Sequence, residues 1–315
     1  NGDFITAPNI SILFSEMISI WCIAFWESLG SPKKINIVEL GSGNGEMMRQ
    51  MIKVFERFNS FKKSCNCYIL EKSHFLKKIQ RKKLANYNVK WIDSLNKLNS
   101  GPNIFLANEF FDALPIKQFI KKNNKWFEKK IKTISKNNFE MVETITNIQN
   151  LEKKIGINLS NNQKIIEFSP LTYKYLNIIS KKINSFHGGL LIIDYGYLEK
   201  KMKNSLQSVY KHKFNQILEN FARSDITYNI SFHLLKKITK KLNLKVAGLA
   251  TQKYFLTKLG IVQRAEIISK NLQFSKKADI YYRLKRLIDN KFMGELFKVM
   301  FITKKNNKFK LGFKN

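Results

Sequence analysis

The chain has 315 residues, 44% of them hydrophobic and 25% charged, which is ordinary for a soluble globular protein large enough for one core, or one core with an inserted lobe. Its formal charge is +33, but only seven of the 56 basic residues are Arg and the lysines are scattered among Asn and Ile, so the charge reads as a solvated basic surface and no specific nucleic-acid partner is expected. The three cysteines give no disulfide framework, the four histidines lack metal-ligand spacing, and the longest apolar stretch, residues 18–26, is too short to span a bilayer, so no metal and no transmembrane segment are expected.

The first residue is Asn1 rather than Met, and a trimmed chain is expected, with any targeting segment lying upstream. A helix is predicted over 10–26, with Pro8 near its start. A buried strand over 35–40 leads into a helix over 46–58. A strand over 67–70, a basic helix to about Leu84 and short strands over 89–92 and 104–107 follow. This alternation points to a parallel sheet with helices on both faces.

From Ile116 the rhythm changes to KQFIKK, KWFEKKIKTI and NFEMVETI around Asn-rich turns, as in hairpins. IIEF at Ile165 and a helix over about 171–183 complete a block, 114–185, that reads as an inserted substrate lobe between core segments 1–113 and 186–315. A strand over 190–194, a helix over 231–241, and strands over 244–249 and 297–302 finish the core.

The sharpest local signal is IVELGSGNGE, residues 37–46. A P-loop requires Lys-Ser/Thr after its last glycine, and none follows. The dinucleotide pattern requires a glycine where Glu46 stands, and a carboxylate there would face a pyrophosphate at a helix start. What remains is Glu39-x-Gly41-Ser42-Gly43-x-Gly45, either a loop that admits a ligand against bare backbone without neutralising a dianion or a plain glycine-rich turn between strand and helix. Glu71, in YILEKS after the second strand, can accept from ribose hydroxyls or be a solvated loop acid. Asp93, in KWIDSL after the third strand, can accept from an adenine amino group or be an ordinary acid of a polar turn.

The glycine loop resembles the first motif of class I S-adenosyl-L-methionine (SAM) methyltransferases. GDFITAPNIS (residues 2–11), ANEFFDALP (107–115), IDYGY (193–197) and MGELFKV (293–299) stand in the order found in one such family. The chain is similar from Gly2 to about Ile302 to the SAM-dependent protein arginine methyltransferases that include the mitochondrial complex I assembly factor and its MidA-like bacterial relatives. The resemblance implies an α/β fold, a Rossmann-like, seven-stranded, mostly parallel sheet with an inserted α+β lobe, and SAM as cofactor. It implies a protein substrate methylated on arginine, a subunit of complex I or a protein of its assembly, and a location in the cytoplasm of a bacterium or the mitochondrial matrix of a eukaryote. It also implies that Asp3 and Thr6 close over the cofactor. Departures from the family pattern are Asn9 for an acid, Val209-Tyr210-Lys211-His212 for Val-Arg-Gly-His, Ser231 for Asp and Lys253 for Gly.

A guanidinium is protonated at any ordinary pH, so a site that methylates it wants carboxylates to hold its planar fork and aim one nitrogen at the methyl group. Glu109 and Asp112, just beyond a strand's carboxyl end, are the candidates, Glu109 first. Asp112 has the alternative of capping a following helix. Asn108 can hold the amino-acid part of SAM or the incoming nucleophile. Tyr195 and Tyr197 can wall a guanidinium or be core aromatics, and His212 can be a general base or a structural residue. Two rival functions stand beside the enzyme: a non-catalytic assembly chaperone on the same fold, and a nucleic-acid methyltransferase. The second lacks the Asn/Asp-Pro-Pro-Tyr/Phe motif, its place being taken by Asn108-Glu109-Phe110-Phe111.

Overall fold

The structure, a computed structural model, describes residues 6–98, 100–135, 138–220 and 223–314. The chain divides into two compact units. The larger holds residues 6–110, 178–195 and 243–314; the smaller holds 111–177 and 196–242. The expected lobe, 114–185, thus ends earlier in the helix Pro170–Phe186 and gains a second stretch that the sequence reading placed in the core.

The larger unit is built on strands β1 (Ile35–Leu40), β2 (Cys65–Leu70), β3 (Val89–Ile92), β4 (Asn103–Asn108), β5 (Gly188–Tyr197), β6 (Lys245–Thr251) and β7 (Phe297–Thr303). Their order is β6-β7-β5-β4-β1-β2-β3, with β7 antiparallel to both neighbours and the pairs from β5 to β3 parallel. This is the seven-stranded, mostly parallel sheet expected. Every residue of β1 and β4 is buried, as a strand covered on both faces requires. The last two residues of β5, Gly196 and Tyr197, belong to the smaller unit and pair there with Ile230–Ser231.

The predicted first helix is two: α1 (Ala7–Ile10) and α2 (Ile12–Ser28). Ser11 adopts extended dihedrals and its hydroxyl accepts the Leu13 amide at 3.3 Å, so it ends one helix and caps the next. Helices α3 (Glu46–Phe55), α4 (Asn59–Ser64) and α5 (His74–Lys83) follow. Trp21 and Phe25 of α2 meet Phe301 of β7 edge-on, with ring centroids 4.9 and 5.0 Å apart, which fixes α2 on the sheet. No helix among the described residues is long and apolar enough to cross a membrane.

The smaller unit has an antiparallel sheet in the order Asn138–Thr146, Lys125–Ser135, Lys117–Lys122, Ile165–Phe168, confirming the hairpins read from 116 onward. A second sheet, of Gln207–Tyr210, Lys213–Asn215 and Asp225–Thr227, went unread because its strands have only three or four residues. Buried Glu167 joins the two stretches of chain: its Oε1 accepts from Gln118 Nε2 at 2.7 Å and from the amides of Ser205 and Leu206 at 2.9 and 3.1 Å.

Candidate functional site

In a parallel sheet the connections leaving the carboxyl ends of the strands are free to form a site. At the end of β1 the Gly41 amide donates to Leu70 O of β2 at 3.0 Å, and the chain then turns into α3 at Gly45. Gly41, Gly43 and Gly45 have φ of +67°, +52° and +83°, values that side chains rarely adopt. Their surroundings differ. A Cβ on Gly41 would stand 2.8 Å from the Phe110 ring, so the fold itself needs that glycine; a Cβ on Gly43 would meet no atom within 4 Å. The space beside Gly43 is open.

Glu39, one residue before the end of β1, is only 3% exposed, and its Oε2 accepts the Ser42 hydroxyl at 2.7 Å. Burial raises its pKa to about 7; hydrogen bonds from Ser42 and the Met48 amide pull the other way, and the charge of Glu71 adds to the rise.

Glu71, at the end of β2, is held rather than solvated. Its Oε1 accepts the amides of Lys72 and Ser73, both at 2.9 Å, and its Oε2 accepts Gln80 Nε2 at 3.0 Å. A carboxylate has about four acceptor positions, so Oε2 keeps room for one further donor. Gln80, fully buried on α5, is a residue the sequence reading missed. Its amide nitrogen also donates to Gly43 O at 2.8 Å, and its oxygen accepts Trp91 Nε1 at 2.9 Å. It had a signal: a glutamine at the centre of the Leu76, Gln80, Leu84 spacing, on the helix face that should be apolar.

On the other side of the loop stands α1. Thr6 is its N-cap residue, and its Oγ1 accepts Asn9 Nδ2 at 3.0 Å. Asn9 Oδ1 in turn accepts Asn44 Nδ2 at 3.0 Å, so the residue that departs from the family's acid ties α1 to the glycine loop. At the end of β4, Glu109 takes a left-handed φ of +48° and its amide donates to Ile193 O at 2.9 Å. Its Oε1 accepts the Ala7 amide and Asn108 Nδ2, both at 3.2 Å. Asn108 is 9% exposed, and its Oδ1 has no hydrogen-bond partner among the described residues. A buried amide oxygen left without a donor is costly, and this one is able to accept from a ligand.

The other expected residues have local partners of their own or belong to the smaller unit. Asp93 is exposed and paired with Lys97 at 2.9 Å, and that hydrogen bond lowers its pKa. Asp112 is buried in the smaller unit, in a turn that leads to the strand Lys117–Lys122; no helix follows for it to cap. Tyr195 packs on Phe297 and Tyr197 carries Lys203 Nζ 4.9 Å from its ring centre, so both are core aromatics with contacts of their own. His212 and Lys211, both with positive φ, form the exposed two-residue turn of a hairpin. Ser231 caps the helix Phe232–Lys241, the job an Asp would do, and Lys253 donates to Asn290. Asp3 lies outside the described residues.

Glu46 does not act as expected. Partial burial pushes its pKa up, but hydrogen bonds from Arg49, Gln50 and Lys83 outweigh this and hold it at about 2. Its charge is compensated by its own neighbours, so it would not itself repel a pyrophosphate. The case against a dinucleotide rests instead on the carboxylates Glu71 and Glu109, which suit a ligand bearing hydroxyls and positive charge.

Comparison with known proteins agrees. Residues 17–250 match the family model described as "Putative S-adenosyl-L-methionine-dependent methyltransferase". Relatives include "Protein arginine methyltransferase NDUFAF7, mitochondrial" of Xenopus laevis, 26% identical over 95% of this chain and 74% of that protein. The human protein of the same name is 27% identical over 94% and 72%. Two Burkholderia thailandensis crystal structures share the fold. One, with S-adenosyl-homocysteine bound, has a TM-score of 0.76, 18% identity, and coverage of 99% of this chain and 80% of that one. The other, a native structure, has a TM-score of 0.82, 19% identity, and coverage of 99% and 84%. The chain belongs to the family of SAM-dependent methyltransferases, and its cofactor is SAM. The residues present fit that group: open space beside Gly43, an unpartnered oxygen on Asn108 and one acceptor position left on Glu71.

Proposed function

We propose that this enzyme is a protein arginine N-methyltransferase whose substrate is a subunit of respiratory complex I or a protein of its assembly. The observation that carries the reading is the Glu109 carboxylate beside Asn108, at the strand end next to the glycine loop. An anionic group at that place suits a guanidinium, which is cationic and needs one nitrogen turned toward the methyl donor. The names of the relatives support the same substrate class.

When bound, SAM supplies the electrophilic methyl group. In this reading Gly41, Ser42, Gly43 and Gly45 admit its amino-acid side against the backbone. Asn108 Oδ1 accepts from its ammonium, Glu71 Oε2 accepts one ribose hydroxyl, and Glu39 braces the loop through Ser42. Thr6 closes the site from α1, and Asp93 exchanges Lys97 for the adenine amino group. Glu109 orients the arginine, with Asp112 as the second candidate for that role.

The test is calorimetry with SAM, followed by transfer of labelled methyl groups to a cell extract and identification of the product by mass spectrometry. Methylarginine on a protein is expected; label in RNA alone would overturn the substrate. A non-catalytic assembly protein is the second reading, favoured by one fact: Glu109 already accepts from Ala7 and Asn108, which is a structural job.

A further inference from the structure

The smaller unit contains a cavity of about 640 Å³ whose floor includes Phe119, Ile148, Ile155 and Phe168, all buried. That size lies within the range of roughly 300–1,000 Å³ common for ligand sites. Two exposed lysines stand on its rim, Lys154 on the helix Ile148–Ile155 and Lys174 on the helix Pro170–Phe186. Neither has an ion-pair partner among the described residues, whereas Lys117, also on the rim, is paired with Glu128 at 2.7 Å. An apolar floor under two uncompensated cations selects a ligand with an apolar body and carboxylates beside it. Thr146 also lines the cavity, and it ends the strand Asn138–Thr146, the outermost of its sheet. A chain leaving the cavity there would run beside backbone groups that no neighbouring strand has taken.

We infer that this cavity docks an acidic, apolar-anchored segment of a protein partner: one or two Leu or Phe side chains on the floor, flanking Asp or Glu at Lys154 and Lys174, and extended backbone along Asn138–Thr146. The inference rests on the proposed protein substrate for its biological sense, but the site binds through its own chemistry and in its own unit. A net charge of +33 attracts acidic partners from a distance; the cavity gives that attraction an address.

The test uses the full chain without methyl donor and a fluorescein-labelled peptide of Leu and Phe residues flanked by Glu, read by anisotropy. A peptide with Lys for each Glu is the control. Binding of the Glu peptide only is expected. K154E/K174E should weaken it at least tenfold with unchanged thermal melting, while K33E/K34E, an equal charge change elsewhere, should weaken it less than twofold. Leu151→Trp, which narrows the cavity without altering charge, should also weaken it. Equal loss in the two charge variants would reduce the effect to diffuse electrostatics and overturn the docking site. So would equal binding of both peptides, binding of neither, or displacement of the peptide by dodecanoate at micromolar concentration, which would make a free amphiphile the occupant. If arginine methylation is never found but this binding persists, the substrate reading falls and the docking site stands.

Discussion

The Ala7 amide donates to the Glu109 carboxylate at 3.2 Å, joining stretches 102 residues apart: the first turn of α1 and the end of β4. The same carboxylate is the candidate for orienting the substrate. These two jobs can be separated, because a glutamine keeps an oxygen for Ala7 but carries no charge.

Glu109→Gln is therefore expected to lower methyl transfer by about 10²–10³-fold, the scale of losing one well-placed charged partner in a closed site. SAM affinity should change less than about threefold, since the tether survives. Single-turnover transfer and calorimetry on the same variant decide it. Full turnover would leave Glu109 as a tether alone and overturn its role in orienting the arginine.

The three loop glycines should not respond alike. Gly43→Ala places a methyl group in open space at a φ of +52°, at a backbone cost of about 1–2 kcal/mol. Its main effect should be on SAM, with affinity falling at least tenfold while the fold persists. Gly41→Ala drives a Cβ against Phe110 and should lower the melting temperature further than Gly43→Ala. Thermal denaturation without ligand, compared with ligand titration, separates the two. Equal melting losses would contradict the difference in their surroundings.

Gln80→Leu removes the donor to Gly43 and Glu71 and the acceptor for Trp91 in one step. Leaving such buried groups unpaired costs about 1–3 kcal/mol each, partly relieved by relaxation, so a loss of about 2–4 kcal/mol is expected in urea denaturation. SAM affinity should fall as well, although Gln80 is not one of the proposed ligand contacts. Unchanged affinity would mean that Glu71 and the loop keep their positions without it.

Glu39 predicts a pH dependence with a definite sign. Its pKa is raised in the fold from 4.5 to about 7, chiefly by burial, so the folded state favours its protonated form. Its contribution to stability is complete below pH 4.5, declines as the pH rises to about 7 and is gone above that, a change of about 3 kcal/mol. Glu46 acts oppositely and elsewhere: with its pKa held at about 2, its contribution is present above pH 4.5 and lost as the pH falls toward 2. The difference in stability between the parent protein and Glu39→Gln, followed from pH 4 to pH 8, should change steadily in favour of the variant. A flat difference would mean that Glu39 is not a buried acid.

The sheet was readable in the sequence because β1, β4 and β5 hold short apolar runs between helix-length amphipathic segments. The glycine loop was readable because backbone access demands glycine and little else substitutes for it. What escaped depends on contacts between residues distant in sequence. Gln80 looks like one polar residue on a basic helix until Glu71, Gly43 and Trp91 are placed around it. Asn9 looks like a lost acid until Asn44 is opposite. The second stretch of the smaller unit, 196–242, escaped because its pairings are brief and because the acceptors of Glu167, which help fasten it to the first, leave no periodic signal.

Gln80 holds both halves of the proposed cofactor site, Gly43 and Glu71, with a single planar amide. Turning that amide would disturb both halves together, so each half is set for ligand under the same condition. Adenosine and methionine offered as separate molecules should then assist one another, the first to arrive sparing the second the ordering of a shared hinge. In that case, whichever end of the methyl donor enters first would leave the other end a receptacle already in shape.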